Sequence, residues 1–384
     1  MHVSSLSFAY PEVDGAIRAG LARRLRVEGA LQGAFVLSTC LRIELAVSAD
    51  TAALEQAAAA VFGEPSAVDV GQIRVGEEAV RHLFRIAAGL ESPILGEAEI
   101  LTQFRQSLAR AEAAGRVSGL MAKLLETAVS AGRQARELLP DSPHDSMAAV
   151  AAQVVGAADR VAVLGSGMMA QAVVAGLRGL PAPPEIVVVA RTPEKVTIDG
   201  GEVWPFIRAA EALATFPAVV SATSAKRRLV PDEDLAGLLG ERSAPLTLVD
   251  MAMPPDFTPP AGSQIRYVDI DMLARMADRR PRRGDADAMV AAAAADAYRR
   301  VTYHQALGPV MEGLVRSADT IVDRAVDRFG GRLADEEDRA VLRQTAHTVA
   351  RTLLAGPIAY LQSTDRPAEA VDAIAEAFGL QDDG

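Results

Sequence analysis

Cys40, the only cysteine of the chain, is the first residue whose type could do covalent chemistry. It follows the apolar run FVLST, which has the composition of a strand, and Arg42 and Glu44 continue an alternation of period two. We therefore expect Cys40, Arg42 and Glu44 on one face, where the guanidinium would lower the pKa of the thiol and favour the nucleophilic thiolate. A lone cysteine at a strand end is also commonly a buried structural residue, so both interpretations stay open here.

A second chemical motif follows the buried run VAVL, where Gly165, Gly167 and Ala170 form G-x-G-x-x-A at the start of a helical pattern. The first glycine permits a tight turn, the second lets the backbone approach a pyrophosphate, and the small third residue allows close packing of helix on strand. The alternative is a glycine turn that binds nothing. The predicted dinucleotide-binding residues are Gly165, Ser166, Gly167, Met168, Met169, Ala170, Ala222 and Thr223.

The strand after this helix, EIVVVA, is followed by Arg191 and Thr192, where a site for NAD usually carries a carboxylate for the ribose hydroxyls. Arg191, with Thr192 and Lys195, can instead pair with a 2′-phosphate. The sequence therefore predicts NADPH rather than NADH as the cofactor.

The overall composition limits the classes of protein that these residues can belong to. With 384 residues, half of them hydrophobic, the chain is predicted to form two or three globular domains. A single cysteine excludes an intramolecular disulfide framework and a multi-cysteine metal site, and it suits a reducing cytoplasm. The sequence shows no signal peptide and no apolar run long enough to span a membrane, so we expect a cytoplasmic protein.

The net charge of −11 disfavours nonspecific binding to nucleic acid, including DNA. Three local basic clusters lie at residues 18–26, 133–136 and 279–283, and we interpret them mainly as solvated helix ends and a linker, although each could meet a polyanion.

The order of elements predicts a multidomain α/β protein. Strand-like and helical runs alternate up to about residue 60, helices follow from about residue 77 to 138 around the loop ESPILGEAE, and LLPDSPHDS breaks the pattern. Strands and helices then alternate, which is typical of a parallel sheet, until the polar segment ARMADRRPRRGDA. Only helices are predicted beyond it, with apolar stripes suited to pairing with a second copy. The predicted domains are a catalytic α/β domain at 1–143, a Rossmann-type NADP-binding domain at 144–278, and a helical linker and dimerisation domain at 279–384.

The segments around both motifs resemble the glutamyl-tRNA reductase family. S-T-C-L-R-I-E is similar to the family's S-T-C-N-R-x-E, and RHLFRIAAGLESPILGEAEILTQFRQSLARAEAAG is similar to its H-L-F-x-V-A-x-G-L-D-S-x-x-x-G-E-x-Q-I-L-x-Q-V-K segment. GSGMMA, ART, SATS and VDMAMPPDF follow in family order, so the resemblance covers almost the whole chain.

The resemblance implies a mechanism for Cys40. The thiol would attack the aminoacyl ester of glutamyl-tRNA and release the tRNA, and NADPH would then reduce the enzyme thioester to glutamate 1-semialdehyde, the precursor of 5-aminolevulinate and tetrapyrroles. It assigns His82 to proton donation or to positioning of the leaving hydroxyl, and it also implies a glutamate-1-semialdehyde aminomutase as partner. The residues on family positions around the glutamyl group are Thr39, Arg42, Ser92, Glu97 and Glu99, with Arg42 as the bidentate partner of the carboxylate.

The chain departs from the family pattern at several positions. The family's N-H-x-T-A-P is SFAYPEVD here, the Asn after the cysteine is Leu41, and the Gln after G-E-x is Glu99. R-T-E-T-x-I becomes Arg136 followed by ELLPDSP, and N-K-L-L-H-x-P becomes R-T-L-L-A-G-P. Three alternatives therefore stay open: a paralogue that reduces another aminoacyl-tRNA or activated acyl group, a non-catalytic NADP-binding regulatory protein, and a shikimate-type dehydrogenase.

Overall fold

The computed structural model divides the chain into two compact units, His2–Ala295 and Asp296–Gly384. The residues it describes are 3–25, 33–63, 65–95, 97–117, 119–139, 146–198, 201–225, 227–240, 242, 244–260, 262, 264–277, 284–330, 335–363 and 367–378. The predicted domain boundaries at residues 140–145 and 278–283, with the basic cluster at 279–283, lie outside the described residues.

The chain begins with a four-stranded antiparallel sheet of order β2-β3-β1-β4. Its strands are β1 (Ser4–Ala9), β2 (Ala34–Ser38), β3 (Arg42–Val47) and β4 (Gln72–Val75). One face is apolar and packs against α2 (Thr51–Phe62), as the contact between Phe8 and Phe62 shows. Because side chains alternate along a strand, the other face carries a polar set: Ser5, Ser7, Arg42, Glu44, Gln72 and Arg74.

Helices α1 (Gly15–Arg24), α3 (Gly76–Ala87), α4 (Ala98–Ala113) and α5 (Gly119–Leu138) complete this layer. The predicted helical region at 77–138 is confirmed, and its loop ESPILGEAE joins α3 to α4. Helix α4 packs on β2 through the rings of Phe35 and Phe104, whose centroids are 4.9 Å apart. Helix α4 therefore covers the β2 end of the polar face, whereas Gln72 on β4 stays exposed.

The second layer is a six-stranded parallel sheet of order β10-β9-β8-β5-β6-β7. Its strands are β5 (Arg160–Leu164), β6 (Glu185–Ala190), β7 (Glu202–Pro205), β8 (Ala218–Ser221), β9 (Leu246–Asp250) and β10 (Ile265–Asp269). Its helices are α6 (Met147–Val155), α7 (Met168–Arg178), α8 (Ala209–Thr215), α9 (Asp232–Gly240) and α10 (Ile270–Ala277). This is the Rossmann strand order. Ligands of such sheets bind between β5 and β8, the two central strands from which the chain continues to opposite sides of the sheet.

Two buried contacts join the layers. Leu41 and Ile94 belong to the same apolar cluster as Met147 and the core of the parallel sheet. Arg18 on α1 is only 1% exposed and pairs with Asp271 on α10. The interpretation of Arg18 as part of a solvated basic helix end is therefore wrong, because its charge is neutralised inside the protein.

The second unit consists of helices, as predicted. Helix α11 (Gly284–Gly330) enters it from the first unit, and α12 (Glu336–Ser363) and α13 (Pro367–Ala377) follow. Leu307 and Leu314 on α11 pack against Leu354 and Leu361 on α12. No helix in the described part of the chain is both long and apolar enough to cross a membrane.

Candidate active site

Cys40 lies in a tight turn between β2 and β3. The Thr39 hydroxyl accepts hydrogen bonds from the backbone N–H groups of Leu41 and Arg42 at 3.3 and 3.2 Å, and the Thr39 N–H donates to the Arg42 carbonyl at 2.9 Å. The Arg18 guanidinium donates to the Cys40 carbonyl at 3.0 Å. The conformation of the cysteine is thus fixed on both sides, by Thr39 within the turn and by Arg18 from α1.

The electrostatic environment of Cys40 differs from the expected one. Burial raises the pKa of the half-buried thiol to about 12, and Glu97 and Glu99 add to the increase, whereas Arg18 opposes it. Arg42 is not among the main causes of this shift, and its guanidinium donates to Glu44 instead. The expected lowering of the thiol pKa is therefore wrong, and Cys40 lies in the turn before β3 rather than in the strand itself.

Glu97 and Glu99 flank the start of α4 and form a carboxyl pair close to the thiol. Glu97 accepts a hydrogen bond from the Met147 N–H at 3.2 Å, which ties α4 to the first residue of α6. Burial, with a hydrogen bond and repulsion from Glu99, raises the pKa of Glu97 well above its usual range. Glu97 consequently holds its proton at pH values where isolated glutamates are ionised.

A cavity of about 380 Å³ opens beside the polar face of the first sheet. Arg42, His82 and Ser92, three residues that the sequence predicted, line it together. Thr39, Cys40, Glu97 and Glu99 are outside its lining. The structure therefore arranges the predicted residues as two adjacent groups, and Arg42 is close enough to influence the carboxyl of Glu97 in the second group.

Glu44 is the centre of the hydrogen-bonded group beside the cavity, which also contains Ser7, Arg42 and His82. Its buried carboxylate accepts hydrogen bonds from the Ser7 hydroxyl at 2.9 Å and from Arg42 Nη1 at 3.3 Å, and its other oxygen lies 3.2 Å from His82 Nε2. His82 lies on α3 with its side chain buried against the sheet and not exposed on the helix surface. This contact orients the imidazole, as a buried carboxylate does for many active-site histidines.

The sequence did not identify several residues of this cavity. Ser7, Gln72, Arg74 and Glu91 line it, and Glu44 was placed on a face without a role. The alternation in SSLSFA was the available signal for Ser7. For Arg74 and Glu91 no local signal exists, because strand pairing and a loop bring them to the cavity.

The predicted nucleotide site lies at the start of α7. Gly165 has φ +119°, and a Cβ there would lie 2.6 Å from the Ala222 carbonyl oxygen, so only glycine fits. A Cβ at Gly167 would meet nothing within 4 Å, which leaves open space at the helix N-terminus, where no side chain caps the backbone N–H groups. Such an open N-terminus suits the phosphates of a dinucleotide.

A cavity of about 480 Å³ adjoins this turn. Its lining includes Gly165, Ser166, Ala170 and Lys195, whereas Met168, Met169, Arg191 and Thr192 lie outside it. Both Arg191 and Thr192 are exposed where β6 ends. The residues present therefore fit a dinucleotide, with Lys195 and Arg178 as cations in the wall.

Ala222 and Thr223, predicted from the S-A-T-S segment, follow β8 and face the glycine turn. Asp256 holds this loop: its carboxylate accepts hydrogen bonds from the Ser221 hydroxyl at 2.6 Å and from the Thr223 hydroxyl at 2.8 Å. Asp256 is buried, and its two hydrogen bonds fix the loop after β8, next to the switch point between β5 and β8.

The fold and the site define a class: an oxidoreductase that combines a Rossmann-type domain for a nicotinamide cofactor with a separate layer carrying a cysteine. Three family models match in succession. They are the N-terminal domain of glutamyl-tRNAGlu reductase at residues 4–138, shikimate/quinate 5-dehydrogenase at 149–276, and the dimerisation domain of glutamyl-tRNAGlu reductase at 285–380.

Curated relatives agree with these models over most of the chain. A glutamyl-tRNA reductase from Myxococcus xanthus is 30% identical over 90% of this chain and 84% of its own length. One from Roseiflexus castenholzii is 30% identical over 98% and 93%, respectively. A solved glutamyl-tRNA reductase from Methanopyrus kandleri aligns over 99% of both chains at 23% identity with a TM-score of 0.47. Because these curated relatives are 30% identical over most of both chains, the chain belongs to the glutamyl-tRNA reductase family.

Proposed function

We propose that the protein reduces glutamyl-tRNA(Glu) to glutamate 1-semialdehyde through a thioester on Cys40, the first step of a route to 5-aminolevulinate and tetrapyrroles. The observation that carries the proposal is the position of Cys40. It lies in a fixed turn that packs against the core of the nucleotide-binding sheet, two residues before Arg42, which lines the polar cavity. A thiol placed there can receive an acyl group from one side and present it to a hydride donor on the other.

In the first step, the sulfur of Cys40 forms a bond to the acyl carbon, the bond to the ribose oxygen breaks, and the leaving hydroxyl takes a proton. Because its pKa is high, the thiol must lose its proton to a neighbouring base as it attacks. Glu97 and Glu99 raise the pKa of the thiol electrostatically, and His82, oriented by Glu44, is proposed to donate the proton that the leaving hydroxyl takes. Bound NADPH supplies the hydride that converts the thioester to the aldehyde, with return of the thiol.

The test is intact-mass measurement after incubation with glutamyl-tRNA in the absence of NADPH. We expect a glutamyl adduct on the wild-type chain and none on Cys40→Ala, with release of the aldehyde when NADPH is added. The same experiment with other aminoacyl-tRNAs addresses the paralogue alternative, because the adduct mass names the acyl group. Full substrate-dependent NADPH oxidation by Cys40→Ala would refute the nucleophile.

We further propose NADPH rather than NADH as the reductant, with Arg191, Thr192 and Lys195 around the 2′-phosphate. Arg191 stands where NAD sites usually carry an acid, and Lys195 lines the cavity. The measurement is the ratio of kcat/KM for the two cofactors. Lys195→Met is expected to lower kcat/KM for NADPH and to leave that for NADH unchanged, while an equal effect on both would contradict this assignment.

The proposal includes a homodimer, since a dimerisation domain of this family matches residues 285–380. It also includes transfer of the aldehyde to an aminomutase as partner, because the product is reactive. A shikimate-type dehydrogenase is not supported, since that model matches only residues 149–276 and the flanking domains belong to the reductase family. Co-purification of the aminomutase with this protein at stoichiometric amounts would test the partner directly.

A further inference from the structure

The end of α3 leads directly into the loop that lines the candidate cavity. The N–H of Leu90 donates to the Arg85 carbonyl at 2.9 Å, and Gly89, with φ +71°, closes the last turn of the helix. This pattern is the Schellman motif, which ends a helix at a residue in the left-handed region. The two residues that follow, Glu91 and Ser92, line the cavity. The path of this loop is therefore set from Arg85 onward.

The side chain of Arg85 makes a second connection to the same loop. Its Nε donates to the carboxylate of Glu91, and its Nη1 donates to Asp287 in the first turn of α11. That turn belongs to the same compact unit as α3. A planar guanidinium that bonds two different carboxylates has little freedom to rotate. Asp287 therefore holds in place the group that holds Glu91.

Glu91 connects Arg85 to the hydrogen-bonded group beside the cavity. Its carbonyl oxygen accepts a hydrogen bond from Nη2 of Arg42, whose Nη1 donates to Glu44 at 3.3 Å. The carboxylate of Glu44 lies 3.2 Å from His82 Nε2. Hydrogen bonds and ion pairs thus run without a break from the first turn of α11 to the histidine of the site. Contiguous contacts of this kind can carry energetic coupling between distant positions.

The charge of Arg85 also affects the cavity. Burial acts to raise the pKa of Glu91, but the hydrogen bond and charge of Arg85, followed by the charges of His82 and Arg42, lower it. Glu91 is therefore ionised at neutral pH. Without Arg85, this carboxylate would face Arg42 and His82 without its main counter-charge, and it would compete with a substrate for them.

We propose that Arg85 is a positioning residue for the acylation of Cys40 and that Asp287 acts through it. Arg85 holds the loop at the cavity wall and keeps the Glu91 carboxylate paired. This inference rests on the proposed function. The pair of Arg85 with Asp287 is partly exposed, with 19% and 40% of the two side chains accessible, so it contributes little to the stability of the fold. Its loss is expected to change the rate of acylation rather than the unfolding of the protein.

The test measures acylation of Cys40 by glutamyl-tRNA without NADPH, followed over time by intact mass. Arg85→Met is expected to slow acylation about tenfold, because a misplacement of about 1 Å in a site can cost up to about a hundredfold. Asp287→Asn should slow it about threefold, a smaller loss because Arg85 keeps its bond to Glu91, and Asp287→Glu should recover most of the rate. The double variant Arg85→Met/Asp287→Asn should be no slower than Arg85→Met, since Asp287 acts only through Arg85.

Arg81→Met and Asp285→Asn are the matched controls. Arg81 lies on α3 and Asp285 in the first turn of α11, and both are exposed, so each change alters the net charge as the tested one does. Both controls should be acylated at the wild-type rate. Iodoacetamide should alkylate Cys40 equally fast in all variants, because the proposal concerns the approach of the substrate and not the thiol itself.

Three outcomes would overturn the positioning role and leave the proposed function intact. They are an unchanged rate in Arg85→Met, losses that multiply in the double variant, and a fall in urea stability or NADPH binding in step with the rate. A wild-type chain that forms no adduct with glutamyl-tRNA would refute the proposed function and the positioning role together.

Discussion

At the scale of single residues, Cys40 is held in position by its neighbours but is not activated by them. Arg18 and Thr39 fix the backbone on either side of the turn, whereas burial, Glu97 and Glu99 keep the thiol protonated. Such a thiol is protected from adventitious oxidation, because the thiolate is the reactive form. The Cys40 thiol is therefore expected to ionise only when the substrate and a base are in place.

The high pKa predicts slow alkylation of Cys40 by iodoacetamide. The rate should rise about tenfold per pH unit from pH 7 to 9 without a plateau, since the thiolate fraction grows in that proportion below a pKa of about 12. Glu99→Gln removes a charge that opposes ionisation, so the rate at pH 8 should increase by roughly a few-fold. Glu126→Gln, at an exposed position on α5, should have no effect. A plateau near pH 8 would contradict the raised pKa.

Glu44 is predicted to contribute to stability as well as to the site, because it compensates the buried charge of Arg42. Replacing Glu44 by Ala leaves Arg42 and the Ser7 hydroxyl without this acceptor, and we expect a loss of about 3 kcal/mol in the free energy of unfolding. The comparison is Glu185→Ala, which breaks the exposed pair with Arg160 and should cost about 1 kcal/mol or less. Urea denaturation measures both, and similar losses would refute a central role for Glu44.

At the scale of elements, each half of the site depends on where strands end. The turn between β2 and β3 carries the thiol, and the turns after β5 and β8 carry the nucleotide site. In the parallel sheet, β5 pairs directly with β8, and this pairing brings the glycine turn beside the loop held by Asp256. In the antiparallel sheet, the register places Ser7 between Glu44 and Gln72.

Gly165 and Gly167, just before α7, should differ in how an alanine substitution affects stability and NADPH binding. Gly165→Ala forces a side chain into a left-handed conformation and against the Ala222 carbonyl, so a loss of about 1–3 kcal/mol in unfolding free energy is expected. Gly167→Ala has space and an ordinary φ, and its stability should stay within about 0.5 kcal/mol of wild type. We expect the latter to weaken NADPH binding by about tenfold or more, since the methyl group occupies the approach of the pyrophosphate. Thermal unfolding and fluorescence titration separate the two effects, and tight NADPH binding by Gly167→Ala would argue against phosphate at this turn.

At the scale of the whole molecule, the helical unit exposes a row of apolar side chains that its internal packing does not cover. On α12, Leu354 and Leu361 pack against α11, whereas Val349, Leu353 and Tyr360 form a second stripe that is exposed. Their spacing of four and seven residues places them on one side of the helix. A second stripe of this kind suits pairing with another copy of the chain.

The full chain is therefore expected to sediment as a dimer, and Leu353→Glu to shift it towards monomer. Leu353 is 72% exposed, and a carboxylate at an apolar interface would be desolvated without a partner. Arg351→Glu is the control, because residue 351 lies roughly 200° around the helix from residue 353. Analytical ultracentrifugation gives both masses. A monomeric wild-type chain would exclude pairing through this stripe.

The sequence alone determined the class of each domain and the identity of the chemical groups. Local patterns suffice for these, since the glycine turn needs only its strand and helix, and the segments around Cys40 and His82 carry their spacing in the chain. The same patterns predicted a lowered pKa for the thiol and placed Arg18 at a solvated helix end, and both interpretations were wrong. Charge partners are set by contacts between residues far apart in sequence, such as Arg18 with Asp271 and His82 with Glu44.

Tertiary structure thus decided the electrostatics of the site. Only the fold shows that burial, with Glu97 and Glu99, raises the pKa of Cys40, because burial depends on the packing of one layer against the other. Only the pairing of β1 with β4 brings Arg74 to the cavity, since no pattern within QIRV distinguishes it from a surface arginine. The sequence specified which groups are present, and the three-dimensional contacts specified which of them are neutralised and which remain available to a substrate.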